Sequence, residues 1–239
     1  MCSQLRQETD GRRITAAALR RSPFFREVPE SMLVPLAAIS SRQALDHGAV
    51  LWQAADVIEV VVVLAAGIVR LYREGDNGEE VTVALLDRGQ VCGLAGLDAA
   101  FTPTTVAQAL FDETVVYRIP RRDVAAFLRA NPAVVLRALD ATCQRVQDAY
   151  DLCALPDVRA RVAYILAHLA AANGERTVWA THEELAVWAH GHREALTGEV
   201  LPDLRGRGLI AYERHRRGIR VLDHAGLLAL ATGGDAHVR

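Results

Sequence analysis

Residues 181–221 read THEELAVWAHGHREALTGEVLPDLRGRGLIAYERHRRGIRV, and this stretch decides the fold of the C-terminal part. Thr181, followed by Glu183 and Glu184, has the form of a helix N-cap with acids in the first turn, where free N–H groups and the helix dipole favour them. Leu185, Ala186 and Ala189 give that helix one apolar face. His190-Gly191-His192 interrupts it as a short turn, and Arg193-Glu194 opens a second helix with Leu196, Val200, Leu201 and Leu204 inward. Two short helices joined by a Gly-bearing turn match the helix-turn-helix plan, whose second helix enters the major groove with its N-terminal residues towards base edges. Thr181, His192, Arg193, Glu194 and Thr197 are therefore candidate DNA contacts. Arg193 leads for base readout, because a guanidinium bonds guanine O6 and N7 together. Next come two short strands around the tip Arg214-His215-Arg216-Arg217-Gly218, the form of a wing. Arg214, Arg216 and Arg217 suit phosphate contacts, which hold a protein on the duplex without reading sequence.

Upstream, Pro156-Asp157 opens a helix with Val162, Ile165, Leu166 and Leu169 on one side, ending at Asn173-Gly174. Before it, Asn131-Pro132 starts a helix that runs to about residue 154, since proline suits the first helical turn. Its expected apolar stripe is Val135, Ala138, Leu139, Val146 and Ala149, with Thr142 as one polar member and Arg137, Asp140, Arg145 and Asp148 on other faces. Residues 121–130 form another helix.

From 42 to 119 the pattern changes to short apolar runs, the longest spanning residues 60–66. They are punctuated at Asp46-His47-Gly48, Ala65-Ala66-Gly67, Gly75-Asp76-Asn77-Gly78, Asp87-Arg88-Gly89 and Pro103. Turn signals at intervals of roughly eight to twelve residues are those of a small all-β sandwich or barrel. Asn77-Gly78 marks a β-hairpin tip. Short helices precede this region, near residues 16–21 and 30–40, and residues 1 to about 13 are polar and expected to fray. The fold class is α+β. A jelly-roll-like β-roll domain spans 14–130, a long helix and hinge 131–155, for which the resemblance described below implies dimerisation, and a winged helix-turn-helix domain 156–232.

The 239 residues carry a formal net charge of -2, and every basic side chain is Arg, with no Lys. Total charge therefore gives no nucleic-acid signal, and the case rests on local placement. No stretch approaches the ~18 apolar residues of a membrane helix, and the N-terminal residues lack the apolar core of a signal peptide. A cytoplasmic protein without membrane contact is expected. Cys2, Cys92, Cys143 and Cys153 form no CxxC pair, so neither a disulfide framework nor a zinc or iron–sulfur site is expected, and the expected cofactor and metal content is none.

Over residues 22–228 the chain resembles the Crp/Fnr family of bacterial regulators. The resemblance is carried by Ser22-Pro23-Phe24-Phe25 with Val28-Pro29, by Gly48 and Gly67, and by residues 87–97, similar to the family's phosphate-binding cassette. Further matches are Asn131-Pro132, residues 157–163, Thr181-His182-Glu183-Glu184-Leu185-Ala186, Arg193-Glu194 and Gly208-Leu209-Ile210. It implies a homodimer, a small-molecule effector in the β-roll, binding to two-fold symmetric double-stranded DNA, and RNA polymerase as a further partner. The effector pocket falls on Gly93, Leu94, Ala95, Thr104 and Thr105, with Tyr150 from the dimer helix. Cyclic-AMP-binding members carry a Glu where this chain has Leu94, and an Arg-Ser pair where it has Thr104 and Thr105. A leucine accepts no ribose hydroxyl, and two threonines supply no charge-assisted bond to a phosphate, so the family's usual mode of cyclic AMP binding is not expected. Against the family, the dimer helix is also shorter by close to one turn, and the second helix of the DNA-binding pair carries one extra residue around Thr197-Gly198. With Gly198 and Pro202 inside it, costing about 1 and about 3 kcal/mol in a helix interior, that helix is expected to be short or kinked. Glu199 would repel phosphate.

Three other readings compete. An enzyme on a cupin-like barrel would need two or three His, yet only His47 precedes residue 168. A haem-based gas or redox sensor would draw on Cys92, Cys2 or His47, although Cys92 also reads as a small buried apolar residue. An effector- or protein-binding module with a degenerate helix-turn-helix is motivated by Gly198, Glu199 and Pro202. His190 and His192, with no third ligand in sequence, read as surface residues rather than a metal pair.

Overall fold

The computed structural model describes residues 9–10, 14–95, 97, 102–173, 176–212 and 218–233. The chain falls into two units, Met1–Leu71 with Leu86–Val146, and Tyr72–Leu85 with Gln147–Arg239.

The elements up to the long helix are β1 (Thr9–Asp10), α1 (Ala16–Leu19), α2 (Glu30–Ile39), β2 (Ser41–Leu45), β3 (Val50–Trp52), β4 (Val60–Ala66), β5 (Val69–Glu74), β6 (Glu80–Leu86), β7 (Val91–Cys92), β8 (Val106–Ala109), β9 (Thr114–Pro120), α3 (Arg121–Ala130) and α4 (Pro132–Cys153). The strands form a five-stranded sheet ordered β1-β2-β9-β4-β7 and a four-stranded sheet ordered β3-β8-β5-β6. That order, with sequence-distant strands side by side, is a β-roll, within the small all-β class that the turn spacing indicates. The residues expected to fray do not all do so: Thr9 and Asp10 pair antiparallel with Gln43 and Arg42. An edge strand offers unpaired backbone groups to any extended segment, whatever its side chains.

The turns sit where Gly and Asn announced them. Gly48, Gly67, Gly78 and Gly89 all have positive φ. Gly67 has a second reason to be glycine. The β4–β9 pairing shifts register between Leu64 and Ala66, and this brings the chain over Thr114, so that a Cβ on Gly67 would lie 2.8 Å from the Thr114 Cα. Thr114 is itself buried and donates its hydroxyl to the Phe111 carbonyl at 2.7 Å.

A core of Leu19, Phe24, Phe25, Leu33, Leu36, Val61, Ile119, Val124 and Leu128 joins α1, α2 and α3 to β4 and β9. Val134 and, in part, Ala138 add the start of α4 to it. Arg145, further along α4, donates to the Val91 carbonyl, and Arg137 pairs with Glu27.

The apolar stripe expected on α4 therefore resolves into two faces. Val134 and Ala138 pack on the core. Leu136, Leu139, Val146 and Tyr150 are instead 66, 57, 44 and 66% exposed, and Cys143 and Cys153 are exposed with them. Their spacing alternates three and four from 136 to 153, which is the a/d pattern of a coiled-coil seam. The expected stripe falls between the two faces and takes Ala138 from one and Leu139 and Val146 from the other. Among the described residues, no helix is long and apolar enough to cross a membrane.

Candidate nucleic-acid interface

The second unit holds α5 (Val158–Asn173), β10 (Thr177–Trp179), α6 (His182–Trp188), α7 (Arg193–Ala195), a π-helical segment (Leu196–Val200), α8 (Leu201–Gly206), β11 (Ile210–Tyr212), β12 (Gly218–Val221) and α9 (His224–Ala231). Asp157 starts α5 by accepting from the Ala160 N–H at 2.8 Å, and Val162, Ile165, Leu166 and Leu169 are all fully buried.

Thr181 is the N-cap of α6. Its hydroxyl accepts from the Glu184 N–H, and the Glu184 carboxylate accepts from the Thr181 N–H at 2.7 Å. This reciprocal capping box satisfies two donors that a helix start leaves open. At its other end, the His190 N–H reaches the Val187 carbonyl and the Gly191 N–H reaches the Ala186 carbonyl. These are the two bonds of a Schellman motif, and the left-handed residue is His190, at φ 50°, rather than Gly191. Gly191 is needed for space: a Cβ there would lie 2.7 Å from Val158 Cγ1 on α5. Arg161, also on α5, donates through Nε to the Ala189 carbonyl at 2.7 Å and through its terminal nitrogens to the Leu155 and His190 carbonyls at 3.3 and 3.4 Å. Nothing in the spacing of the sequence singles out this arginine, because its partners are backbone oxygens.

The second helix of the pair runs without a break from Arg193 to Gly206. The expected shortening does not occur. A π segment lies at the place where an extra residue is expected, and in it the Leu201 N–H bonds the Leu196 carbonyl, five residues back. A π turn widens the coil. Pro202 follows directly, and the wider turn relieves the clash a proline ring otherwise makes with the carbonyl four residues earlier. Leu196, Val200, Leu201 and Leu204 are buried as expected. The helix closes on a second Schellman motif, with Gly208 at φ 74°, the Gly208 N–H on the Arg205 carbonyl and the Leu209 N–H on the Leu204 carbonyl.

His192, Arg193, Glu194 and Thr197 are all exposed. Arg193 lies 3.8 Å from Glu183 across the turn, an exposed pair of little energetic consequence. The Thr197 hydroxyl donates to the Arg193 carbonyl at 3.0 Å. Glu199 does not stand alone: Arg159 of α5 meets it at 3.5 Å and Asp203 at 3.6 Å. Asp203 also accepts from Arg207 at 3.0 Å. The charges of Glu199 and Asp203 are thus answered by two arginines.

The wing is a three-stranded sheet ordered β10-β12-β11. Residues 177–179 are a strand that the reading by turn signals passes over. A glycine at 218 lets the Trp179 ring cross β12, since a Cβ there would lie 2.6 Å from that ring. The Arg205 guanidinium sits 5.8 Å from the Tyr212 ring centre. Arg214, Arg216 and Arg217 lie outside the described residues.

On the sensor side, Gly93 is held at φ 82°, where a Cβ would meet the Val60 carbonyl oxygen at 2.6 Å. Leu94 packs against the apolar cluster of α1–α3. Ala95 and Thr104 are exposed, Thr105 is half-buried, and Tyr150 lies on the exposed seam of α4. None of these six lines the cleft of about 270 Å³ between Gln43, Trp52, Asp56, Glu59, Val62 and Arg118. His47 occupies an exposed turn, its N–H on Asp112 at 2.8 Å, and Cys2 lies outside the described residues. Among the described residues no three His, Cys, Asp or Glu side chains converge as a metal site. His190 and His192 are surface residues, as expected.

Burial pushes the Cys92 thiol up from 9.0 to about 12, against a smaller opposing pull from the Arg145 guanidinium. At pH 8 it is protonated, and the thiolate is the reactive form. In the folded protein Cys92 is expected to resist a thiol reagent at pH 8, and denaturant should release it. The raised value also sets a sign. The stabilisation from keeping this thiol neutral is complete below about 9, where the unfolded thiol ionises, and is lost as pH rises towards 12. Denaturant melts at pH 8 and 10 should show that loss, and Cys92→Ala should abolish it. Labelling of Cys92 in the folded protein as fast as in denaturant would refute the assignment.

Comparison with known proteins agrees with this geometry. Residues 42–131 match the cyclic nucleotide-binding domain, and residues 160–230 the Crp-like helix-turn-helix domain. A cyclic AMP receptor protein from Thermus thermophilus is 28% identical over 196 residues, covering 80% of this chain and 89% of the relative. A solved Crp/Fnr-family transcriptional regulator from Eubacterium rectale superposes with a TM-score of 0.67 at 20% identity, covering 87% of this chain and 97% of that one. FixK2 from Bradyrhizobium japonicum gives 0.66 at 18% identity, covering 79% and 96%. With both domains matched in this order and the helix-turn-helix intact, the chain belongs to the Crp/Fnr family of DNA-binding transcription regulators.

Proposed function

We propose that this regulator acts in the cytoplasm as a homodimer on two-fold symmetric DNA, without responding to cyclic AMP in the family's usual mode. One observation carries the reading. The helix beginning at Arg193 is continuous and buries its apolar face while exposing His192, Arg193, Glu194 and Thr197. That combination supports a working helix-turn-helix over a degenerate one, and the π turn accommodates Gly198 and Pro202 within the helix. In this reading the domains are 14–130, 131–155 and 156–232. Arg193 reads a base edge, and Arg214, Arg216 and Arg217 hold phosphates. The seam of α4 is the dimer contact, since a solvated a/d stripe is stable only against another such stripe. A neutral or weakly polar effector would bind at Gly93, Leu94, Ala95, Thr104, Thr105 and Tyr150, and RNA polymerase is the further partner. The relative from Thermus thermophilus carries cyclic AMP in its name. Here Leu94, Thr104 and Thr105 offer neither the carboxylate nor the guanidinium that such a ligand needs.

The test is selection of bound fragments from a genomic library at two salt concentrations. A palindromic motif is the expected product. Arg193→Ala should cost about 1–3 kcal/mol per half-site and flatten the preference at one position. Replacing Arg214, Arg216 and Arg217 by Ala should weaken all sequences alike and lower the slope of log K against log salt by about 0.9 for each phosphate no longer neutralised. Unchanged discrimination in Arg193→Ala would remove that residue from base readout, and no enrichment at either salt would overturn the DNA-binding role itself.

A further inference from the structure

The seam of α4 carries two cysteines. From Leu136 the exposed positions run Leu136, Leu139, Cys143, Val146, Tyr150 and Cys153, alternating three and four without a break. In heptad terms Leu136, Cys143 and Tyr150 are a positions, and Leu139, Val146 and Cys153 are d positions. In a parallel two-stranded coil with a two-fold axis along the seam, each a residue faces its own counterpart, and so does each d residue. The flanking positions do not oppose that register: Val135 and Thr142 at g would meet Asp140 and Gln147 at e, with no like charges brought together.

We infer that Cys143 and Cys153 are sites of covalent linkage between two copies of this chain, each forming a disulfide with the same residue of the second copy. The inference rests on the homodimer proposed above. Helix axes about 10 Å apart, with Cα atoms about 2.3 Å from each axis, place facing Cα atoms within about 6 Å. A disulfide spans Cα separations of about 4.4–6.8 Å. Both thiols are exposed on the single chain. The oxidant is a low-molecular-weight disulfide. One thiolate attacks it to give a mixed disulfide and releases one small thiolate. The counterpart's thiolate then attacks the protein sulfur of the mixed disulfide and releases the second. Two protein thiols are oxidised to one disulfide, one small disulfide is reduced to two thiols, and the two protein protons end on them.

Cys92 is buried and takes no part. The test uses the full chain carrying Cys2→Ser, so that Cys143 and Cys153 are the exposed thiols. Sedimentation in reductant should give a dimer. After excess oxidised glutathione and alkylation of free thiols, a non-reducing gel should show a covalent dimer for this protein and for the further single variants Cys143→Ser and Cys153→Ser. Cys143→Ser/Cys153→Ser should show none, and neither should Ala141→Cys placed in that double variant, where the thiol is exposed on the other side of the helix. A band in a single variant can arise only from like residues and supports the register. A band lost in both single variants would mean that Cys143 faces Cys153, which overturns it. A dimer in reductant that never cross-links would overturn the disulfide and leave the dimer standing. A monomer in reductant would overturn the dimer reading and this inference with it.

Discussion

Replacing Leu139 by Asp is expected to make the protein a monomer and to lower its affinity for a two-fold DNA site by about 10²–10⁴-fold. Leu139 is a d position of the exposed seam of α4, 57% exposed on the single chain. Two aspartates facing each other there would be desolvated without partners, which costs several kcal/mol per ion. Once the copies separate, each half-site is bound independently. The gain from linking two binding events, about 10²–10⁴ in apparent affinity, then disappears. Sedimentation at micromolar protein and a gel-shift titration on the selected site measure both effects. Ala141→Glu, exposed and off the seam, should change neither. A dimeric Leu139→Asp protein would place the contact on another face.

Gly67→Ala should destabilise the first unit by about 2–5 kcal/mol. The left-handed conformation at φ 79° costs a residue with a Cβ about 1–2 kcal/mol. The added carbon would also press on the Thr114 backbone at 2.8 Å, and on its hydroxyl. Neither can swing away: Thr114 pairs with Leu45 in the sheet, and its hydroxyl is bonded to Phe111. Overpacking of this kind costs about 1–3 kcal/mol. Thermal unfolding followed by circular dichroism should show a fall in Tm of roughly 10 °C. Gly48→Ala isolates the two contributions. Gly48 has nearly the same φ, 77°, with nothing within 4 Å of its would-be Cβ, so it should lose only the conformational part. Equal losses in the two variants would show that the approach of Gly67 to Thr114 has no cost.

Much of this architecture could be read from residues whose effect is local. Thr181 caps because its hydroxyl reaches its own helix, Pro132 starts α4 because it needs no N–H partner, and the turn glycines declare themselves by needing positive φ. What was not legible depends on partners distant in sequence. Arg161 acts on carbonyls of a turn that only the fold brings to it. Gly191 looks like a conformational glycine, yet the constraint comes from Val158 on another helix, while His190 adopts the strained backbone. The two faces of α4 could not be separated by period alone, since one is defined by the core and the other by its exposure. The DNA-contact candidates at the start of the second helix were legible as positions. The neutralisation of Glu199 by Arg159 was not, because forty residues separate them.

The π turn at Leu196–Val200 has a consequence for how this regulator can change over generations. Most helices tolerate substitution but not insertion or deletion, because one added residue turns every later side chain by about 100°. Here the π turn holds one residue more than an α turn as a local swelling, and the flanking residues Leu196 and Leu201 remain seated. Gly198, inside it, has open space where a side chain would go. Loss of one codon at that place would shrink the swelling to an ordinary turn while leaving Leu196 and Leu204 in their sockets. The second helix of the helix-turn-helix can thus drift in length as well as in lettering, a second route to a changed surface beyond substitution alone.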